Sequence, residues 1–179
     1  MNGIDYDTLL PAVLEATRAT FLELAITAHV RQEDIYVFGL YTSGEASYLI
    51  PTANTNQALS RTIASSPPDH HRHLRWSPCD WEYHNFRGEH FGAVEALLDV
   101  GWERDFSAFH VDCARVAAIA LATPQELARD DTFQELHATH PIVLNLFMGD
   151  QSTEERLFYA SMVNDGATMA LYRAQAGAA

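Results

Sequence analysis

Apolar side chains recur at helical spacing from residue 7 to residue 32, through Leu9, Leu10, Val13, Leu14, Phe21, Leu24, Ala25 and Ala28, while Glu15, Arg18 and Glu23 fall on other faces. This pattern predicts a long amphipathic helix. Pro11 lacks the N–H that a helix interior needs, so the start is expected at about residues 7–10. The period then changes. Residues 35–42 are almost continuously apolar and rich in aromatic and β-branched types, the pattern of a strand covered on both faces. Ser43-Gly44-Glu45 supplies a turn, Ala46 to Ile50 the return strand, and Pro51 its end or a sheet edge.

Asn54 and Gln57 read as a helix start, with Ala58, Leu59, Ile63 and Ala64 on its apolar side. Residues 65–75 carry Ser, Pro and three histidines, and a mobile loop is expected there. Ser77-Pro78-Cys79-Asp80 then has the form of a helix N-terminus, with Trp76 and Trp81 at the positions of a hydrophobic staple. Further helices are predicted over 91–100, 106–122, 123–136 and 154–163, with another turn or two over 167–174. Thr123-Pro124-Gln125-Glu126 is read as the start of the third of these. Residues 142–148, bounded by His140-Pro141 and Gly149-Asp150, read as a buried strand. The fold class expected is α+β: a small, mainly antiparallel sheet made of the hairpin 35–50 and the strand 142–148, packed against several helices. The 179 residues are expected to form one domain.

Charge changes the picture. The chain has 24 acids against 11 bases, all of them arginine, for a net charge of −13. The excess is uneven. Residues 80–165 carry sixteen acids and five arginines, whereas 53–78 carry three arginines, one acid and three histidines. An acidic chain repels phosphate backbones, so nucleic acid is not an expected partner and a cationic protein is. Glu103, Asp105, Asp130, Asp131 and Glu135 are the candidate partner-binding acids. No run of apolar residues is long enough to span a membrane, the two cysteines form no framework, and the expected location is the cytoplasm.

Candidate chemistry is thin. His70, His71 and His73, with Arg75, Trp76 and Asp80 nearby, could serve a metal or small ligand, although adjacent histidines in a Pro-rich loop lack the rigidity zinc sites need. Cys79 would sit in a first helical turn, and Cys113 on an apolar helix face reads as core. Gly149-Asp150-Gln151 reads as a turn. No phosphate loop, nucleophile elbow or dinucleotide fingerprint occurs, and no cofactor is expected.

The hairpin from Tyr36 to Tyr48, the segment Pro51-Thr52-Ala53-Asn54-Thr55, the block from Leu74 through Arg75-Trp76-Ser77-Pro78 to Tyr83, and the late Gly149-Asp150-Gln151 together resemble a bacterial domain-of-unknown-function family. Its members look like small acidic immunity proteins of toxin systems. The resemblance implies a non-enzymatic binding protein that neutralises a basic toxin through an acidic surface. It transfers no catalytic residue. Two alternatives stand beside it: a metal- or ligand-binding enzyme using the His70–His73 loop, and a homodimeric scaffold domain pairing through the hairpin edge.

Overall fold

The computed structural model describes residues 4–99 and 106–176. A mixed four-stranded sheet runs in the order β3-β2-β1-β4, with β1 Ile35–Thr42, β2 Ile50–Thr55, β3 Tyr83–His84 and β4 Val143–Met148. β2 pairs antiparallel with both β1 and β3, and β4 pairs parallel with β1. The fold is α+β as expected, with the expected hairpin and late strand side by side; the parallel pair is the departure.

Both faces of β1 are covered, as its continuous apolar pattern requires. On one face Phe38 and Leu40, with Leu144 and Leu146 of β4, meet α1 (Tyr6–Arg31) and helices later in the chain. Phe21 of α1 packs edge-on to Phe38 with ring centroids 5.1 Å apart, a geometry worth about 0.5–1.5 kcal/mol beyond area burial. On the other face Val37, Val143 and Phe147 meet Trp76, Trp81 and the C-terminal helices. The candidate site lies on this second face.

Asp5 caps α1 by accepting the Thr8 amide. The helix therefore begins at Tyr6, one residue before the range predicted from Pro11, and ends where Gln32 turns left-handed at φ 56°. The return strand also begins later than predicted. Residues 43–49 form a loop, fixed by left-handed Ala46 and by Thr42 Oγ1 donating to the Tyr48 carbonyl at 2.5 Å. Pro51 lies inside β2 opposite Leu40. Its carbonyl accepts from the Asn85 amide at 2.9 Å, on the side away from β1, so the ladder to β1 loses no bond through the missing N–H.

Thr55, rather than Asn54, caps α2 (Asn56–Ser65) by accepting the Ala58 amide. Within the expected loop, His71–Leu74 forms the short α3. The predicted helix at Ser77 is a single 3-10 turn, Pro78–Asp80, because Trp81 leaves it in extended conformation. α4 is Gly92–Asp99. α5 (Phe106–Leu127) runs straight through Pro124. Burial of Ala120, Thr123 and Leu127 holds it helical there, so no helix starts at Thr123. α6 (Asp131–Thr139) starts at Asp130 instead. α7 (Thr153–Ser161) carries the full Ser152/Glu155 capping box, and α8 is Gly166–Ala176. Among the described residues no helix is long and apolar enough to cross a membrane.

Candidate functional site

Two stretches 70 residues apart in sequence meet on the second face. Trp76 and Trp81 anchor the first. The Trp76 ring lies 4.3 Å from Tyr172 of α8 and 5.5 Å from Tyr36 of β1, and Trp81 lies edge-on to Phe147 at 5.1 Å. Trp81 donates its indole N–H to the Leu74 carbonyl at 3.1 Å. Between the two rings Ser77 Oγ donates to Asp80 at 2.6 Å. The second stretch leaves β4 as the Gly149 amide donates to the Thr42 carbonyl and Asp150 turns left-handed at φ 62°. Ser77, Pro78 and Cys79 then face Gly149, Asp150 and Gln151 across a cavity of about 160 Å³. A second cavity of about 210 Å³ adjoins it, sharing Ser77 and Arg156, and is otherwise lined by His73, Trp76, Thr153, Tyr172 and Ala176.

Arg156 joins the two. Its Nη1 donates to the Trp76 carbonyl at 2.5 Å, its Nη2 reaches Thr153 Oγ1 at 3.4 Å, and its own carbonyl accepts from Asn145 Nδ2 at 3.1 Å. Three buried polar atoms around these cavities meet no partner: the indole nitrogen of Trp76, Nε of Arg156 and Oε1 of Gln151. An unpaired buried donor or acceptor costs about 1–3 kcal/mol, so each of the three calls for a partner that the described residues do not supply. Burial pushes the Tyr172 phenol up to about 12, against the opposing pull of the Arg156 charge and a hydrogen bond with Asn145, so it stays a neutral wall.

The arrangement is not a nucleophile–base pair. Exposed Cys79 points its sulfur at the Tyr41 hydroxyl, 3.5 Å away, and makes no hydrogen bond to a histidine among the described residues. The bond with Cys79, and then burial, raises the Tyr41 phenol above its ordinary value. His84 stands edge-on to Tyr41 and is held by Thr52 Oγ1 at 3.1 Å. Burial lowers its pKa from the ordinary histidine value, favouring the neutral ring.

The structure disperses the histidine candidates. His70 is exposed, 3.9 Å from Asp69. His71 is pinned through Nε2 to the Ser66 carbonyl at 2.8 Å, and His73 stands on the rim of the larger cavity. Arg75 is architectural, not a ligand group. Its guanidinium stacks 4.3 Å from the Tyr36 ring and donates through Nε to Gln175 at 3.0 Å, tying α8 to β1. No group of three or more metal-ligating side chains occurs among the described residues.

The acids also divide. Asp130 accepts from the amides of Thr132 and Phe133, so it is the cap of α6 rather than a free surface charge. Asp131 and Glu135 are exposed one turn apart on that helix. Glu103 and Asp105 lie outside the described residues.

One feature had no local signal in the sequence, and a second had only a weak one. Glu33, with a side chain only 3% exposed, accepts from Thr55 Oγ1, the Tyr83 hydroxyl and Arg61, and Glu82 bridges Arg61 and Arg31 beside it. Residues 31–33, 55, 61 and 82–83 supply this network. Arg156 had a weak signal: a cation in the first turn of α7 opposes the helix dipole, so it needs a specific partner to be there.

The sequence profile of a domain of unknown function, DUF4303, matches residues 13–164. The chain belongs to the DUF4303 family. The matched region of this DUF4303 protein contains the whole sheet, both motif stretches and Arg156, while Tyr172 and the rest of α8 fall beyond it. Comparison with curated proteins and with solved structures yields no match.

Proposed function

We propose that this protein is a non-catalytic binding protein, an immunity-type factor that acts in the cytoplasm and occludes a basic toxin domain through an acidic surface. What carries the reading is where the charges end up. Arg31, Arg61, Arg87 and Arg129 are paired with the chain's own carboxylates, and Arg75 and Arg156 are tied to polar groups inside the fold. Asp131 and Glu135 are left exposed on α6 with no ion-pair partner among the described residues. α6 and α1 form the two walls of a groove of about 430 Å³, with Glu33 and Asp34 also lining it. Along α1, Leu22, Ile26 and Val30 repeat every four residues as exposed apolar side chains. Exposed acids on α6 and exposed apolar positions on α1 suit a basic protein that is steered in by charge and held by a few buried contacts.

The test is to look for a basic toxin domain encoded beside the gene and to co-express the two. A stoichiometric, salt-sensitive complex is expected, and the double change Asp131→Asn, Glu135→Gln should weaken it about tenfold, or about 1.4 kcal/mol. An unaltered affinity in that double variant, or no complex at all, would sink the proposal.

The scaffold reading finds less support. β1 is flanked by β2 and β4, so the hairpin's first strand has no free edge. The enzyme reading keeps one observation in its favour, the polar cavity at Trp76, although its histidine loop contributes only His73 to it.

A further inference from the structure

We propose that the cavity enclosed by Trp76, Ser77, Thr153, Arg156 and Tyr172 binds a small carboxylate. The inference is independent of the acidic surface and rests on the donor set. Trp76 is 5% exposed, lines the cavity, and its indole N–H meets no acceptor. The Nε of Arg156, on the same cavity, is also buried and unpaired. Both are donors that no protonation change can turn into acceptors. In the proposed complex the two oxygens of one carboxylate answer both donors, and charge-assisted bonds from a guanidinium are the strong ones.

Charge and size choose among oxyanions. Among the described residues Arg156 is the one fixed cation lining the cavity; His73 and the neutral phenol of Tyr172 line it too, and no carboxylate does. The nearest acid in the hydrogen-bond network, Asp80, is engaged by the Ser77 hydroxyl and does not line it. One positive charge matches a monoanionic carboxylate and leaves a phosphate dianion under-compensated. A cavity of about 210 Å³ holds roughly seven water volumes at about 30 Å³ each, which suits an organic acid of a few heavy atoms. The adjoining cavity offers the unpaired acceptor Oε1 of Gln151 beyond the shared Ser77 and Arg156, so a carboxylate carrying an N–H or O–H donor can extend toward it.

The experiment is an NMR titration of the full chain with sodium acetate, with sodium formate and with inorganic phosphate at matched ionic strength, following the sequentially assigned indole N–H signals. Acetate and formate are expected to move the Trp76 indole proton downfield saturably, with a Kd near or below about 10 mM. The Trp81 indole, already bonded to Leu74, should stay still. Trp76→Phe keeps the ring and removes the donor; it should weaken acetate binding about tenfold with the far-UV circular dichroism unchanged. The wild-type titration decides the matter even if that variant does not fold. No saturable movement of the Trp76 signal, an unchanged acetate affinity in folded Trp76→Phe, or tighter binding of phosphate than of acetate would each overturn the assignment.

Discussion

Gly39 and Asn145 lie opposite one another in the parallel register of β1 and β4, so close that a Cβ on residue 39 would sit within contact of the Asn145 carbonyl oxygen and 3.0 Å from its carbonyl carbon. The obstacle is backbone, which cannot swing aside as a side chain can. Asn145 is also held by its own side chain, which bonds the Arg156 carbonyl and the Leu146 amide. Gly39→Ala must therefore separate the two strands. A loss of about 3 kcal/mol or more is expected, the upper end for an overpacked core, read as a lower urea midpoint with an unchanged slope.

Asn164 protects the outer edge of β4. Its Oδ1 accepts from the Leu144 amide at 2.8 Å and its Nδ2 donates to the Leu144 carbonyl at 2.6 Å, as a neighbouring strand would. Asn145 and Gln151 treat Leu146 in the same way. Asn164→Ala uncovers a backbone donor and acceptor on the edge of the sheet. Equilibrium unfolding should show a loss of about 1–3 kcal/mol, and light scattering should show concentration-dependent association through the exposed edge.

Glu33 gives the fold a pH dependence. Burial, the largest single influence, would raise its pKa, but the hydrogen bonds from Tyr83, Thr55 and Arg61 and the Arg61 charge together hold it below 4.5. A carboxyl whose folded value lies below its unfolded one adds stability above the unfolded value and loses it as pH falls through the folded value. The wild type should therefore lose stability steadily as pH drops below about 4.5. Glu33→Gln should be less stable at pH 7 by about 1–3 kcal/mol and show a shallower acid limb. Parallel acid limbs for the two proteins would contradict this account.

Asp130 and Asp131 are neighbours with different jobs, and substitution separates them. Asp130→Ala removes the cap of α6 and should cost about 1 kcal/mol. Asp131→Asn touches an exposed carboxylate and should leave stability within about 0.5 kcal/mol. In partner binding the order should reverse, with Asp131 the more sensitive. Thermal melts and binding measured on the same two variants check both halves.

The elements that were legible in the sequence are those whose burial follows a simple period. α1, the two-sided strand β1, the strand β4 and the Ser152 capping box each declare themselves within a dozen or so neighbouring residues. The expectations that failed depended on distant groups. Pro124 looked like a helix start because nothing local says that Ala120 and Leu127 are buried on either side of it. Pro51 looked like a strand end because its free side is defined by Asn85, far along the chain. Ser77 carried a helix signature that Trp81 overrides, since packing its ring on Phe147 pulls the chain out after one turn.

The candidate site divides the same way. The sequence by itself determined that the stretch around Trp76-Ser77-Pro78 was unusual, that Gly149-Asp150-Gln151 was a turn, that acid outweighs base, and that no familiar catalytic motif is present. Only the tertiary structure decided that those two stretches face each other, that Arg75 is spent on Tyr36 while Arg156 keeps one N–H, at Nε, unpaired, and that the histidines are scattered. The reason is physical. Periodicity reports which side of an element is buried, but a cavity is defined by which separate elements the sheet brings together, and here that follows from the parallel pairing of β1 with β4.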